Sequence, residues 1–135
     1  MRITADTNLL VRMATRDDEL QAATALKIIS TAEWVIVPIP CILELVWVLG
    51  SLYRLPRSEI AEAVHVLINS ANVLTEVPVV EAGLDVFAAG GDFADGIIAS
   101  SGAAMGSEMF VSFDRKAVTH VSKLGLAAQH ANTFA

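Results

Sequence analysis

Short apolar runs alternate along this chain with longer stretches of helical period. Arg2–Ala5 reads as a first strand, stopped by the polar cluster Asp6-Thr7-Asn8. Asp17-Asp18-Glu19 supplies acids for a helix N-terminus, and Ala22, Leu26 and Ile29 follow on one face at i, i+4 and i+7. Trp34–Val37 is an unbroken apolar run, which predicts a strand buried on both faces. Pro40 suits the first turn of a helix continuing over Cys41–Tyr53. Ser58 is placed to cap the next helix, with Ile60, Val64, Leu67 and Ala71 along one face. Val73–Val77 is a third strand candidate, followed by helices over Val79–Ala89 and Phe93–Met105 that Gly90-Gly91 separates. Met109–Phe113 predicts a fourth strand and Arg115–Lys123 a helix closed by Gly125. Strands separated by helices need parallel crossovers. The expected architecture is an α/β/α sandwich with a central, mostly parallel sheet of four or five strands. A single domain over residues 1–135 accounts for it, since no repeat, linker or low-complexity tract interrupts the pattern.

Composition adds a surplus to that picture. Apolar residues make up 54% of 135 and charged ones 18%, with mean hydropathy +0.56, so disorder is excluded. A chain this short should fill its core and leave apolar surface over, which points to a partner. The apolar stretch from Trp34 to Leu49 is broken by Pro38, Pro40 and Glu44 and cannot pass for a membrane span. The first residues show no secretory signal, and a lone Cys41, read as a small core residue, makes no internal disulfide; both fit a reducing cytoplasm.

The formal charge is −6, fifteen acids against nine bases. That argues against a nucleic-acid partner unless the acids are gathered around divalent metal, which reverses the local sign. Asp6 follows the first strand and Asp114 the fourth, at the rim where parallel sheets bind ligands. Both are also ordinary turn or cap residues by position. Glu44 stands alone in Pro40–Leu49, a helix apolar nearly all round and therefore expected to be buried; no Lys or Arg between Lys27 and Arg54 can pair with it locally. Asp95 lies in the first turn of an apolar helix, where Asp92 is the better cap; the reverse assignment stays open. Four carboxylates from four elements suit Mg²⁺ or Mn²⁺, and such ions can activate water for phosphoryl transfer.

Asp6-Thr7-Asn8 after a first strand, the isolated Glu44, Phe93-Ala94-Asp95-Gly96-Ile97-Ile98-Ala99 opening a helix and Val111-Ser112-Phe113-Asp114 ending a strand resemble the PIN-domain family over the whole chain. The length and the Asp-Thr-Asn start resemble its toxin nucleases of VapBC-type toxin–antitoxin pairs. The resemblance implies an endoribonuclease dependent on Mg²⁺ or Mn²⁺, acting on RNA, often a homodimer, and inhibited by an antitoxin protein whose tail fills the groove. It maps the acidic positions onto Asp6, Glu44, Asp95 and Asp114, with Asn8 and Ser112 as polar supports; the last aspartate varies in the family, so Asp114 is the least secure.

Among the cations Arg12, Arg16, Arg54, Arg115 and Lys116, the last two, beside Asp114, are the first choice for holding an RNA backbone. His65, His120 and His130 have no metal-ligand spacing and read as surface or structural residues, and no phosphate-binding glycine loop occurs. A phospho-acceptor receiver domain is an alternative of similar size. It wants an acidic pair after the first strand and an aspartate after the third; Asp6 is alone, and Val73–Val77 runs into Pro78. A PIN-like fold kept only for binding is the other alternative.

Overall fold

A computed structural model describes residues Met1–Phe134. The chain folds into two compact units, Met1–Glu76 and Val77–Ala135.

The first unit contains β1 (Arg2–Thr4), α1 (Thr7–Thr15), α2 (Glu19–Thr31), β2 (Trp34–Ile36), α3 (Ile39–Ser51), α4 (Arg57–Ile68) and β3 (Val73–Leu74). Its strands form a parallel sheet in the order β1-β2-β3, with Ile3 opposite Val35 and Val35 opposite Val73. Helices join successive strands, which is why the pairing is parallel. The strands are shorter than the apolar runs, yet pairing continues past them: Ala5 N–H donates to Ile36 O at 3.0 Å and Val37 N–H to Leu74 O at 2.9 Å. Trp34–Val37 is not buried on both faces as expected. Val35 and Val37 are buried while Ile36 between them is 39% exposed, so the strand alternates as a half-covered one does.

Other expectations shift by local chemistry. Asp6-Thr7-Asn8 ends a strand but also opens α1, a helix absent from the sequence reading; Asp6 caps it, accepting from Leu9 N–H at 3.1 Å. The buried face of α2 is Ala22, Ala25 and Ile29, and Leu26 points away at 47% exposure. The α4 helix begins at Arg57 after Pro56, with no side-chain cap, so Ser58 is inside the first turn. Ile60, Val64 and Leu67 are buried as expected, whereas Ala71 lies beyond the helix and is exposed.

The second unit contains α5 (Val77–Ala88), α6 (Phe93–Ala104), β4 (Phe110–Ser112), α7 (Arg115–Lys123), β5 (Ala128–His130) and a final 3₁₀ turn over Ala131–Phe134. The third strand run stops at Leu74 because Val77 and Pro78 start α5, where proline's fixed φ is at home. Gly96 and Gly83 let α6 lie directly on α5: a Cβ on Gly96 would stand 2.5 Å from the Ala82 carbonyl oxygen. Phe87 and Phe93 close that contact edge to face, centroids 6.2 Å apart. β4 and β5 pair in parallel, Val111 opposite Gln129. Among the described residues the strands number five, all parallel as the α/β expectation has it, but divided into two ladders of three and two. β5 has neither β-branched nor aromatic residues; its pairing with β4 and its packing against α7 make it a strand. Among the described residues no helix is long and apolar enough to cross a membrane.

Candidate functional site

In the first unit, Asp6 and Glu44 are tied together through one side chain. Thr7, the residue after Asp6, donates its hydroxyl to Glu44 Oε2 at 3.2 Å. Cys41 Sγ, one turn before Glu44 on α3, contacts the Ala5 carbonyl oxygen at 3.4 Å and fastens the same helix to the end of β1. Glu44 is exposed, which corrects the expectation of a buried carboxylate. The helix looks apolar all round because Trp47, 62% exposed, lies on its solvent side; its buried face is Ile42, Leu45 and Leu49. A carboxylate there costs no desolvation and needs no buried counter-ion. Asp6 is exposed too, with Oδ1 engaged by the helix cap and Oδ2 free of hydrogen bonds to the described residues. Asn8 is exposed in the same first turn. A groove of about 390 Å³ runs from these residues along α1, lined by Asp6, Asn8, Leu9, Arg12, Leu20, Gln21, Thr24 and Ala25.

The second unit carries Asp92, Asp95 and Asp114. Asp92 is the cap of α6, accepting from Ala94 N–H at 3.0 Å, and Asp95 stands in the first turn; the alternative order does not hold. Asp114 caps α7, its Oδ1 accepting from Lys116 N–H at 2.9 Å and Ala117 N–H at 3.2 Å. Ser112 Oγ accepts from Asp114 N–H at 3.0 Å and fixes the backbone on which that cap depends. Asp95 differs from the other acids. It is half-buried and no hydrogen-bond donor among the described residues reaches its carboxylate. Burial holds its carboxyl above the ordinary value of 3.8, the charges of Asp92 and Asp114 push the same way, and His120 works against them. Arg115 and Lys116 are exposed at the start of α7.

His120 is half-buried, as a structural histidine would be, but its surroundings were not foreseen. Its Nδ1 is buried without a hydrogen-bond partner, and its ring lies where a Cβ on Gly91 would meet it at 2.8 Å. The signal was its place beside the inward stripe of α7: Ala117 and Val121 are buried, and His120 falls at i+3 from the first. His65 is exposed on α4, and His130 is bound to the Phe113 carbonyl oxygen at 2.8 Å, a structural contact.

Whether these residues suit a divalent cation is a matter of donor chemistry and of charge. All four acids offer hard carboxylate oxygen, and Asp95 carries negative charge that no nearby hydrogen bond offsets. Among the described residues no group of three or more His, Cys, Asp or Glu side chains is gathered as a ready cage; the acids stand as Asp6 with Glu44 in one unit and Asp95 with Asp92 and Asp114 in the other.

No curated protein matches the chain. The PIN-domain family profile does, over residues 3–124, and so takes in α1 with its Asp6 cap, the exposed Glu44, the Asp92–Asp95 helix start and the Ser112–Asp114 turn. Members of that family are generally nucleases that use divalent metal. A match over this much of the sequence, in the order in which both units present their acids, means that the chain belongs to the PIN-domain family.

Proposed function

We propose that this protein is a metal-dependent endoribonuclease, working in the cytoplasm as the toxin of a toxin–antitoxin pair, with residues 1–135 acting as one nuclease domain. The observation that carries the reading is Asp95, a half-buried carboxylate that no hydrogen-bond donor among the described residues reaches and that has two like-charged neighbours. A protein gains nothing in stability from such an arrangement, and a bound cation would offset the repulsion.

Asp6, Glu44, Asp95 and Asp114 would hold Mg²⁺ or Mn²⁺. The bound ion would lower the pKa of a water and neutralise charge developing on the phosphate. The chain's own part is to hold the oxygens ready. Capping bonds fix Asp6 and Asp114 in single orientations, each leaving Oδ2 available, and Thr7 fixes Glu44 through Oε2, leaving Oε1. Ser112 supports Asp114, and Asn8 stands beside Asp6 as a polar neighbour for the strand. Arg115 and Lys116, exposed and next to Asp114, offset the acids toward an RNA backbone.

Purified protein should therefore cleave RNA in Mg²⁺ or Mn²⁺ and lose at least about 100-fold in rate with EDTA. Undiminished cleavage in EDTA sinks the metal reading. Asp85→Asn, an exposed α5 residue outside the acid groups, serves as the control and should cut normally.

Association is part of the same proposal. Trp47 on α3 and Leu52 just past its end leave exposed apolar surface, as a homodimer contact or an antitoxin seat would need. An antitoxin would block the site by placing an Arg or Lys among the acids, where it stands in for the metal's charge. Light scattering should report a dimer at micromolar concentration, and a monomer there refutes the homodimer.

A further inference from the structure

Arg16 and Arg54 both adopt left-handed backbone, each at φ 54°, and among the described residues no other non-glycine residue does. Glycine takes that region without steric penalty and is the usual choice just past a helix. Arg16 ends α1, and Arg54 follows α3. Side chains link the two turns: the Tyr53 hydroxyl donates to Asp17 Oδ2 at 2.8 Å, and Arg12 Nη1 donates to Asp17 Oδ1 at 3.0 Å. Asp17, which follows Arg16 and bonds the neighbour of Arg54, is already paired with Arg12. Arg16 and Arg54 are exposed and make no ion pair among the described residues, although Glu19 shares a groove of about 280 Å³ with Arg16. A chain of net charge −6 thus keeps two uncompensated arginines on linked turns where glycine would be conformationally easier.

We propose that Arg16 and Arg54 form a clamp for the phosphates of the RNA strand, away from the acids that hold the metal. The inference rests on the ribonuclease reading and gives it a second point of contact. The length of α1 sets the spacing. Asp6 caps its first turn and Arg16 its last, ten positions apart and about 15 Å along the axis. That span equals roughly four stacked nucleotides at about 3.4 Å each. The groove lined by Asp6, Leu9, Arg12 and Gln21 follows the same helix between the two ends. Guanidinium groups suit the distal role, since their planar fork meets phosphate oxygens two at a time.

Binding of a labelled single-stranded RNA, longer than this span, reads the clamp by fluorescence anisotropy across a salt series in Ca²⁺, with strand integrity checked on a gel. The double variant Arg16→Gly/Arg54→Gly should bind at least about tenfold more weakly. The slope of log affinity against log salt should fall by about 1.4, two phosphates at about 0.7 each for a single strand. Its thermal midpoint should stay level or rise, because glycine relieves the left-handed backbone; a purely structural role for the arginines would lower it. Unchanged affinity and slope overturn the clamp, and the arginines then serve an acidic protein segment or nothing. Wild-type protein that binds the RNA but cuts none in Mg²⁺ or Mn²⁺ removes the nuclease reading and leaves the clamp standing. Wild-type protein that binds no RNA overturns both.

Discussion

Asp95→Asn should lose at least about 100-fold in RNA cleavage while the fold gains stability at neutral pH. The substitution keeps volume and removes one negative oxygen donor from the proposed metal site. Stability moves the other way because the native protein holds this carboxyl in an unfavourable place, half-buried and facing Asp92 and Asp114. A carboxyl whose folded pKa lies above its unfolded value of about 3.8 binds its proton more tightly when folded. Stability therefore falls as pH rises through that window, and Asp95 stays a net cost at all higher pH. Below the unfolded pKa both states are protonated and the cost vanishes. Thermal unfolding of wild type and variant should accordingly separate at pH 7, with the variant higher, and converge in acid. Activity within tenfold of wild type would remove Asp95 from the site. A variant that loses activity only by melting earlier would make it a structural residue.

Gly96→Ala, one position along, should instead cost about 3 kcal/mol of stability and lower the thermal midpoint by roughly 10 °C. The added methyl would stand 2.5 Å from the Ala82 carbonyl oxygen and 2.7 Å from the Gly83 Cα. Both are backbone atoms of α5, so no side chain can rotate out of the way and α6 must lift from its neighbour. The same helix supplies its own control. A methyl on Gly102 meets only the Ser107 Cβ, at 3.8 Å, and alanine there should stabilise by about 0.5 kcal/mol through helix propensity. Calorimetry of the two variants separates these outcomes. Equal midpoints for Gly96→Ala and wild type would mean that α5 and α6 do not meet at these glycines. Since α6 carries Asp95, residual activity of a folded Gly96→Ala protein would also fall.

The sequence by itself determined the alternation of strand and helix, hence the parallel pairing, and the positions of the acids at element ends. Asp92 reads as the better cap because it precedes the aromatic Phe93, and the structure closed the alternative that the sequence had left open. Capping chemistry is local, a side chain meeting an amide two or three residues on, so a linear reading can see it. Burial is not local. Glu44 lies in a segment that reads as apolar throughout, and only packing decided that Ile42, Leu45 and Leu49 would face inward while Glu44 and Trp47 faced out. The α1 helix escaped notice because nine residues carry little periodic signal, and β5 because Ala128-Gln129-His130 has no strand propensity of its own. His120 is the same case at the level of a single residue. Its spacing put it near the inner face of α7, but the charge it brings to Asp95 and the unpartnered Nδ1 depend on contacts across the chain. Tertiary structure decided those features because each is a property of two elements at once, and a pattern read along one element holds only half of it.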